Sequence, residues 1–215
     1  MTAALLTLAD SRLPAGGHTH SGGVEQAIAA GVVSDPGSLA AFLLRRLATS
    51  GAVAAGLAAA ACEAAGDAVR LGELDAEADA RTPSPALRTA SRQQGRGLVR
   101  VGRRAWPSAA WDALPALPHH PIALGVAAAA GGLDPRDAAQ AAAYLSISGP
   151  ATAAQRLLAM DPITVAAVTA RLAPDIDAVA SAQHGHGGRL SATTDPLLDL
   201  LAEVHAARKD RFFAS

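Results

Sequence analysis

Four Asp-Pro pairs divide this chain into segments that all have the character of helices. The pairs are Asp35-Pro36, Asp134-Pro135, Asp161-Pro162 and Asp195-Pro196. An aspartate side chain accepts hydrogen bonds from the first unpaired amides of a helix. Proline fits the next position because no helical N–H is required there. Each pair therefore predicts the beginning of a helix, and Thr82-Pro83 is a weaker pair of the same kind.

The segments between these starts lack strand patterns. No segment alternates polar residues with Val, Ile, Thr or aromatic residues over the length of a strand. Half of the 215 residues are apolar but only 3% are aromatic, and alanine dominates the apolar share. Alanine favours helix and buries little area per residue. The sequence predicts an all-α bundle of about ten helices, forming one domain over residues 1–215 and stabilised in part by partner surfaces.

The spacing of apolar residues places the individual helices. The predicted helices cover residues 36–49, 51–65, 68–80, 85–104, 122–131, 136–148, 152–160, 163–182 and 196–208. They are preceded by an opening segment, residues 5–30, in which two helix-like pieces flank a loop rich in glycine and histidine. Within it, Ser21 is predicted to cap the second piece, and Glu25 suits the positive end of its dipole.

Charge and composition narrow the classes of function. The net charge is −1 and the isoelectric point about 6.6, so no overall basic field attracts nucleic acid. The single cysteine, Cys62, excludes an internal disulfide and suits a reducing compartment. The apolar runs are shorter than a membrane span, and no signal peptide is recognised. We therefore expect a cytoplasmic protein that binds neither nucleic acid nor membrane.

Histidines in the opening loop are the first candidates for chemistry. His18 and His20 could bend toward one metal ion, which makes a metal-dependent enzyme an alternative function. A closed site needs three or four ligands. Further histidines lie at positions 119, 120, 184 and 186, but the sequence does not fix their distances from the loop. No phosphate-binding loop or nucleophile motif is present, so the sequence predicts no catalytic residue, cofactor or resident metal.

An arginine stripe supports a second alternative. Arg88, Arg92, Arg96 and Arg100 recur at every fourth position and share one helical face within residues 88–104. Such a face could bind phosphate groups or RNA. It lacks interleaved aromatic residues, and the chain as a whole is not basic. A solvated or partner-facing surface is therefore the favoured interpretation.

Several motifs, in order along the chain, resemble the urease accessory protein UreF family. The opening segment carries Asp10-Ser11, Pro14, Gly16, His18 and Ser21-Gly22-Gly23-Val24-Glu25, similar to the family's N-terminal signature. Later matches are Leu74-Asp75, Ala90-Ser91, Gly95-Arg96-Gly97-Leu98 and Ala154-Gln155-Arg156-Leu157, and the last runs from His205 to Ser215. Matches spread over nearly the whole length are far more specific than any one alone.

The resemblance implies a dimeric, non-enzymatic chaperone for nickel-dependent maturation of urease. Such a protein would bind UreD (also called UreH), recruit the GTPase UreG, modulate its GTP hydrolysis and act on apo-urease. The residues expected to bind partners are Asp10, Ser11, His18, His20, Ser21, Glu25, Arg92, Arg96, Arg156, His205, Arg211, Phe212 and Phe213. Arg211 is expected to pair with a carboxylate. For the two phenylalanines the resemblance favours a partner surface, and the alternative is the chain's own core.

Overall fold

The computed structural model describes residues 3–10, 13–15, 17–184 and 190–215, without the side chains of residues 183 and 184. Eleven α-helices occupy these residues, together with short 3-10 and π-helical segments, and no strand is present in them. The prediction of an all-α fold of about ten helices is confirmed. The helices are α1 Ala3–Ala9, α2 Val24–Ala29, α3 Pro36–Arg46, α4 Ala52–Glu63, α5 Ala68–Ala80, α6 Pro85–Ala105, α7 His120–Ala130, α8 Pro135–Leu157, α9 Pro162–Arg171, α10 Ala173–His184 and α11 Pro196–Ala207.

All four Asp-Pro pairs begin helices, as predicted. The side chains of Asp35, Asp134, Asp161 and Asp195 each accept a hydrogen bond from a first-turn amide of the helix that follows. The weaker pair, Thr82-Pro83, does not begin a helix. Helix α6 begins at Pro85, and Ser84 accepts the amide N–H of Leu87 in its place.

Two predicted boundaries differ from the structure. Helix α8 is continuous through Pro150, where the sequence predicted a break. The predicted helix 163–182 is divided into α9 and α10, and Pro174 lies in the first turn of α10. Helices α3 and α4 are joined by a π-helical turn, Leu47–Gly51, instead of a loop.

Helix α4 lies at the centre of the bundle, packed mainly against α7 and α8. Close approach depends on Gly125 of α7, where a Cβ would lie 2.4 Å from the Ala58 carbonyl oxygen. The hydrophobic core is one cluster of buried residues that includes side chains from all eleven helices. The single-domain organisation stays a prediction, and this shared core supports it.

One helical stretch among the described residues, Pro36–Glu63, has the length and apolar composition of a membrane span. It joins α3, the π-helical turn and α4. Half of its most apolar window is buried inside the protein, against the other helices of the bundle.

Candidate partner-binding surface

The two ends of the chain meet on one side of the bundle. We define the C-terminal tail as residues 208–215, which follow α11. The Oε1 atom of Glu25 accepts the amide N–H of Phe212 at 2.8 Å, and Oε2 accepts that of Phe213 at 3.0 Å. Oε2 also lies 2.8 Å from Nε2 of His205 on α11. One buried carboxylate therefore joins α2, α11 and the tail.

The ionised form of Glu25 is the one that this arrangement favours. Burial by itself raises the pKa of the Glu25 carboxyl. The hydrogen bonds from the Phe212 amide, the His205 ring and the Phe213 amide outweigh burial, so the net pKa lies below its ordinary value. The carboxylate charge of Glu25 therefore holds the backbone of the tail.

Further hydrogen bonds attach the tail to the opening loop. The Ala214 amide donates to the Thr19 carbonyl oxygen at 2.8 Å, and the Ser21 amide donates to a main-chain oxygen of Ser215. Nδ1 of His20 lies 2.6 Å from Oγ of Ser215. Burial, and then the charge of His18, lowers the pKa of His20. The loop and the tail therefore form one continuous surface.

A groove between the loop, the tail and the end of α8 carries several of the predicted partner residues. We call it the terminal groove, and it is lined by His18, Thr19, Arg156, Leu157, Phe212, Phe213 and Ala214. The Phe212 side chain is 86% exposed, whereas Phe213 is half-buried and packs against the core. His18 and Arg156 are exposed. The structure brings His18 together with Arg156, Phe212 and Phe213, although more than half of the chain lies between His18 and Arg156.

The structure corrects one predicted contact within this surface and shows the contacts that Arg211 and the tail make within the chain. Ser21 does not cap α2: the N-cap is Gly23, and the buried Ser21 Oγ has no hydrogen-bond partner among the described residues. Arg211 has no carboxylate partner in the described part of the chain and instead donates to the Ala206 carbonyl oxygen at 3.4 Å. The tail backbone docks on its own chain, because the Glu25 carboxylate already receives its amides.

The remaining predicted residues lie elsewhere. Asp10 is half-buried and lines a partly enclosed cavity, and Ser11 lies outside the described residues. Arg96 is exposed on α6, with no ion pair to any described residue. Arg92 belongs to a different environment. It donates from Nη1 to Asp75 at 3.0 Å and from Nη2 to Asp79 at 2.6 Å, so its partners are in its own chain.

The sequence analysis missed the network around Arg92. Nε2 of His119 lies 2.8 Å from Oδ1 of Asp79, and its Nδ1 lies 3.0 Å from Oγ of Ser91. Burial raises the pKa of Asp79, but hydrogen bonds from His119 and Arg92 outweigh it and lower the net pKa. A signal was available, because Asp75 and Asp79 are four residues apart on one helical face. The network joins α5, α6 and the segment before α7. Because it pairs Arg92 within the chain, it separates this residue from the rest of the arginine stripe.

The geometry offers no support for the metal-enzyme alternative. His18 is exposed, while His20 is buried against Ser215. No group of three or more His, Cys, Asp or Glu side chains is placed to hold a metal within residues 3–10, 13–15, 17–184 and 190–215. His186 and the side chain of His184 lie outside the described part.

Comparisons with known proteins agree with the motifs. The family model UreF matches residues 33–173. A urease accessory protein UreF from Mycolicibacterium vanbaalenii is 53% identical over 213 residues, covering 99% of this chain and 98% of the relative. Proteins of the same name from Mycobacterium marinum and Mycobacterium tuberculosis are 53% and 48% identical over 218 residues, each covering 99% of this chain and 98% of the relative. This chain therefore belongs to the UreF family of urease accessory proteins.

Proposed function

We propose that this protein is a non-enzymatic chaperone that binds UreD/UreH through the terminal groove. In the resulting complex it recruits UreG, modulates GTP hydrolysis by UreG and promotes nickel insertion into apo-urease. Membership of the UreF family supports a role in urease maturation. The terminal groove is proposed as the binding surface because His18, Arg156, Phe212 and Phe213 meet there.

The chemistry of the groove suits protein recognition. Phe212 presents nearly its whole ring to solvent, and aromatic and arginine side chains are enriched among residues that dominate binding energy. A buried aromatic side chain removes about 150–250 Å² from water. Arg156 and His18 flank the ring and can receive carboxylates from a partner. The expected partner surface thus combines an apolar pocket with acidic residues at its rim.

The fixed backbone of the tail favours this role. Glu25 accepts the amides of Phe212 and Phe213, and His205 contacts Glu25, so both residues would position the ring without touching the partner. Binding by a pre-formed surface avoids much of the entropy cost of ordering a loose tail. Glu25, His205, His20 and Ser21 are accordingly proposed as positioning residues. Asp10, Ser11, Arg96 and Arg211 stay predicted partner contacts, and Arg92 is proposed to support the fold around His119.

The GTPase role is regulatory in this proposal. The sequence contains no phosphate-binding loop, so the chain would alter hydrolysis by UreG and not perform it. Purified chain without UreG is expected to release no phosphate from GTP, and addition to the UreG complex is expected to change its rate. Robust turnover by the isolated chain would contradict this part. We further propose a cytoplasmic homodimer acting as one domain.

Co-purification with UreD/UreH tests the surface. The variants Phe212→Ser and Arg156→Glu are expected to reduce capture of UreD/UreH strongly while retaining helicity. Val69→Ser on α5 is the matched control for Phe212, because Val69 is 75% exposed. Arg136→Glu at the opposite end of α8 is the control for Arg156. Wild-type capture by both groove variants, or equal losses in the controls, would reject the terminal groove.

A further inference from the structure

A partly enclosed cavity of about 420 Å³ lies beside the opening loop and is lined by residues of α3, α4, α6, α7, α8 and α11. Its volume falls within the range of small-molecule sites. The lining is largely apolar, with residues such as Leu57, Leu145 and Leu198. Arg46, the last residue of α3, also lines it and is half-buried. A guanidinium in such surroundings requires an explanation.

One hydrogen bond explains how Arg46 is held. Pro150 has no N–H, so the carbonyl of Ser146, four residues earlier on α8, lacks its helical donor. Nε of Arg46 donates to that carbonyl oxygen at 2.8 Å. Gly22 lies against both residues: a Cβ there would be 2.7 Å from Pro150 Cγ and 3.3 Å from Arg46 Cζ. The guanidinium is therefore fixed at the cavity wall.

The outer nitrogens of Arg46 are unused. Neither Nη atom donates to an acceptor among the described residues, and no described carboxylate lies within ion-pair distance. Three side-chain carboxylates line the cavity: Asp195 is bound by the neighbouring Arg45, and Asp10 and Asp199 are the other two. Burial lowers the pKa of Arg46 to about 10, which leaves the group charged near neutral pH. The charged Arg46 guanidinium thus faces a partly enclosed space without an ion pair to a described residue.

Burial shifts two of the histidines that line the cavity, His20 and His120, toward the neutral form. Burial, followed by the charge of His20, lowers the pKa of His120 to about 4. Burial, followed by the charge of His18, lowers the pKa of His20. Two further arginines, Arg81 and Arg156, line the cavity, and Arg81 is paired with Glu77. A dianion such as sulfate would leave excess negative charge in a poorly solvated site.

We propose that the Nη face of Arg46 binds a small monoanion of the carboxylate class inside this cavity. The planar guanidinium donates two parallel N–H bonds, which match the two oxygens of a formate or bicarbonate ion. The anion supplies the acceptors that the protein lacks at this position. Because Ser146 and Gly22 hold Arg46 in place, the site is pre-formed before the anion arrives.

Side-chain NMR of the unmodified protein tests the site directly. In chain labelled with ¹⁵N at arginine, formate and bicarbonate are each expected to shift the Arg46 Nε resonance with saturation. Chloride at matched ionic strength is expected to leave it unchanged, and sulfate is expected to bind more weakly. A shift that follows ionic strength regardless of the anion, or tighter binding of sulfate, would overturn the proposal.

An Arg46→Lys variant provides the second test. Lysine retains the charge but lacks the planar fork, so formate affinity measured by calorimetry is expected to fall about tenfold or more. Arg171→Lys, at an exposed position of α9, is the control and is expected to bind as wild type does. Equal formate affinity in the Arg46→Lys variant would overturn the proposal. If that variant does not fold, the resonance shifts of the wild-type chain decide alone.

Discussion

Oε2 of Glu25 and Nε2 of His205 lie 2.8 Å apart, although the two residues are 180 positions apart in the chain. Both side chains are almost completely buried. The same carboxylate accepts the amides of Phe212 and Phe213, so all three donors depend on its charge. This contact connects the stability of the fold to the position of the tail that borders the terminal groove.

Replacing Glu25 by glutamine tests the energetic weight of this contact. Glutamine keeps the shape but turns one acceptor into a donor that faces an amide N–H. We expect Glu25→Gln to lower the free energy of unfolding by about 2–3 kcal/mol in urea titrations. Glu73→Gln is the control, because Glu73 pairs with Arg70 at the surface and its loss is expected to cost under about 1 kcal/mol. Equal losses of unfolding free energy in the two variants would show that the charge of Glu25 does not stabilise this contact.

The contribution of Glu25 to stability is expected to depend on pH. Its pKa in the folded chain lies below the ordinary value of 4.5. A depressed carboxyl pKa adds stability that is fully present above the unfolded pKa. That stability is lost as the pH falls below 4.5 and through the folded value. Urea unfolding at a series of pH values should show the wild-type advantage over Glu25→Gln shrinking over this acid range. A constant difference would contradict the assignment.

Substitutions at two glycines with positive φ distinguish the cost of backbone strain from the cost of a steric clash. Gly22 has φ of 61° and lies against Pro150 and Arg46, whereas Gly31 has φ of 72° and open space around it. Gly31→Ala is expected to cost about 1–2 kcal/mol from backbone strain alone. Gly22→Ala should cost about 1–3 kcal/mol more from overpacking. Thermal and urea unfolding measure both, and equal costs would mean that the contact at Gly22 is not tight.

The end of α8 offers a stabilising substitution. Ala159 has φ of 48°, and the next amide, Met160, donates to the Gln155 carbonyl oxygen at 3.1 Å. This is a helix C-terminus at which glycine is preferred. Ala159→Gly should raise the free energy of unfolding by about 0.5–1 kcal/mol. Ala167→Gly, inside α9 and exposed, is the control and should lower it by about 1 kcal/mol. A loss at Ala159 would indicate that its methyl group has a packing role.

The sequence predicted the features that depend on near neighbours. Each Asp-Pro pair begins a helix because its cap and first amides lie within three residues of one another. The motifs that resembled UreF are likewise short, and the comparisons confirmed the family that they indicated. Helix ends were harder to predict. Proline normally ends a helix, but Arg46, 100 residues from Ser146, satisfies the carbonyl that Pro150 leaves free.

The surface at the two ends of the chain was decided by the tertiary structure. His18, Arg156, Phe212 and Phe213 were each identified from the sequence, and their meeting in one groove was not. Glu25 looked like a helix-dipole residue, yet its partners are a ring and two amides near the opposite end of the chain. Local patterns specify which segments form helices because those contacts are short-range. Which side chains meet depends on how the helices pack, and that is a property of the whole folded chain.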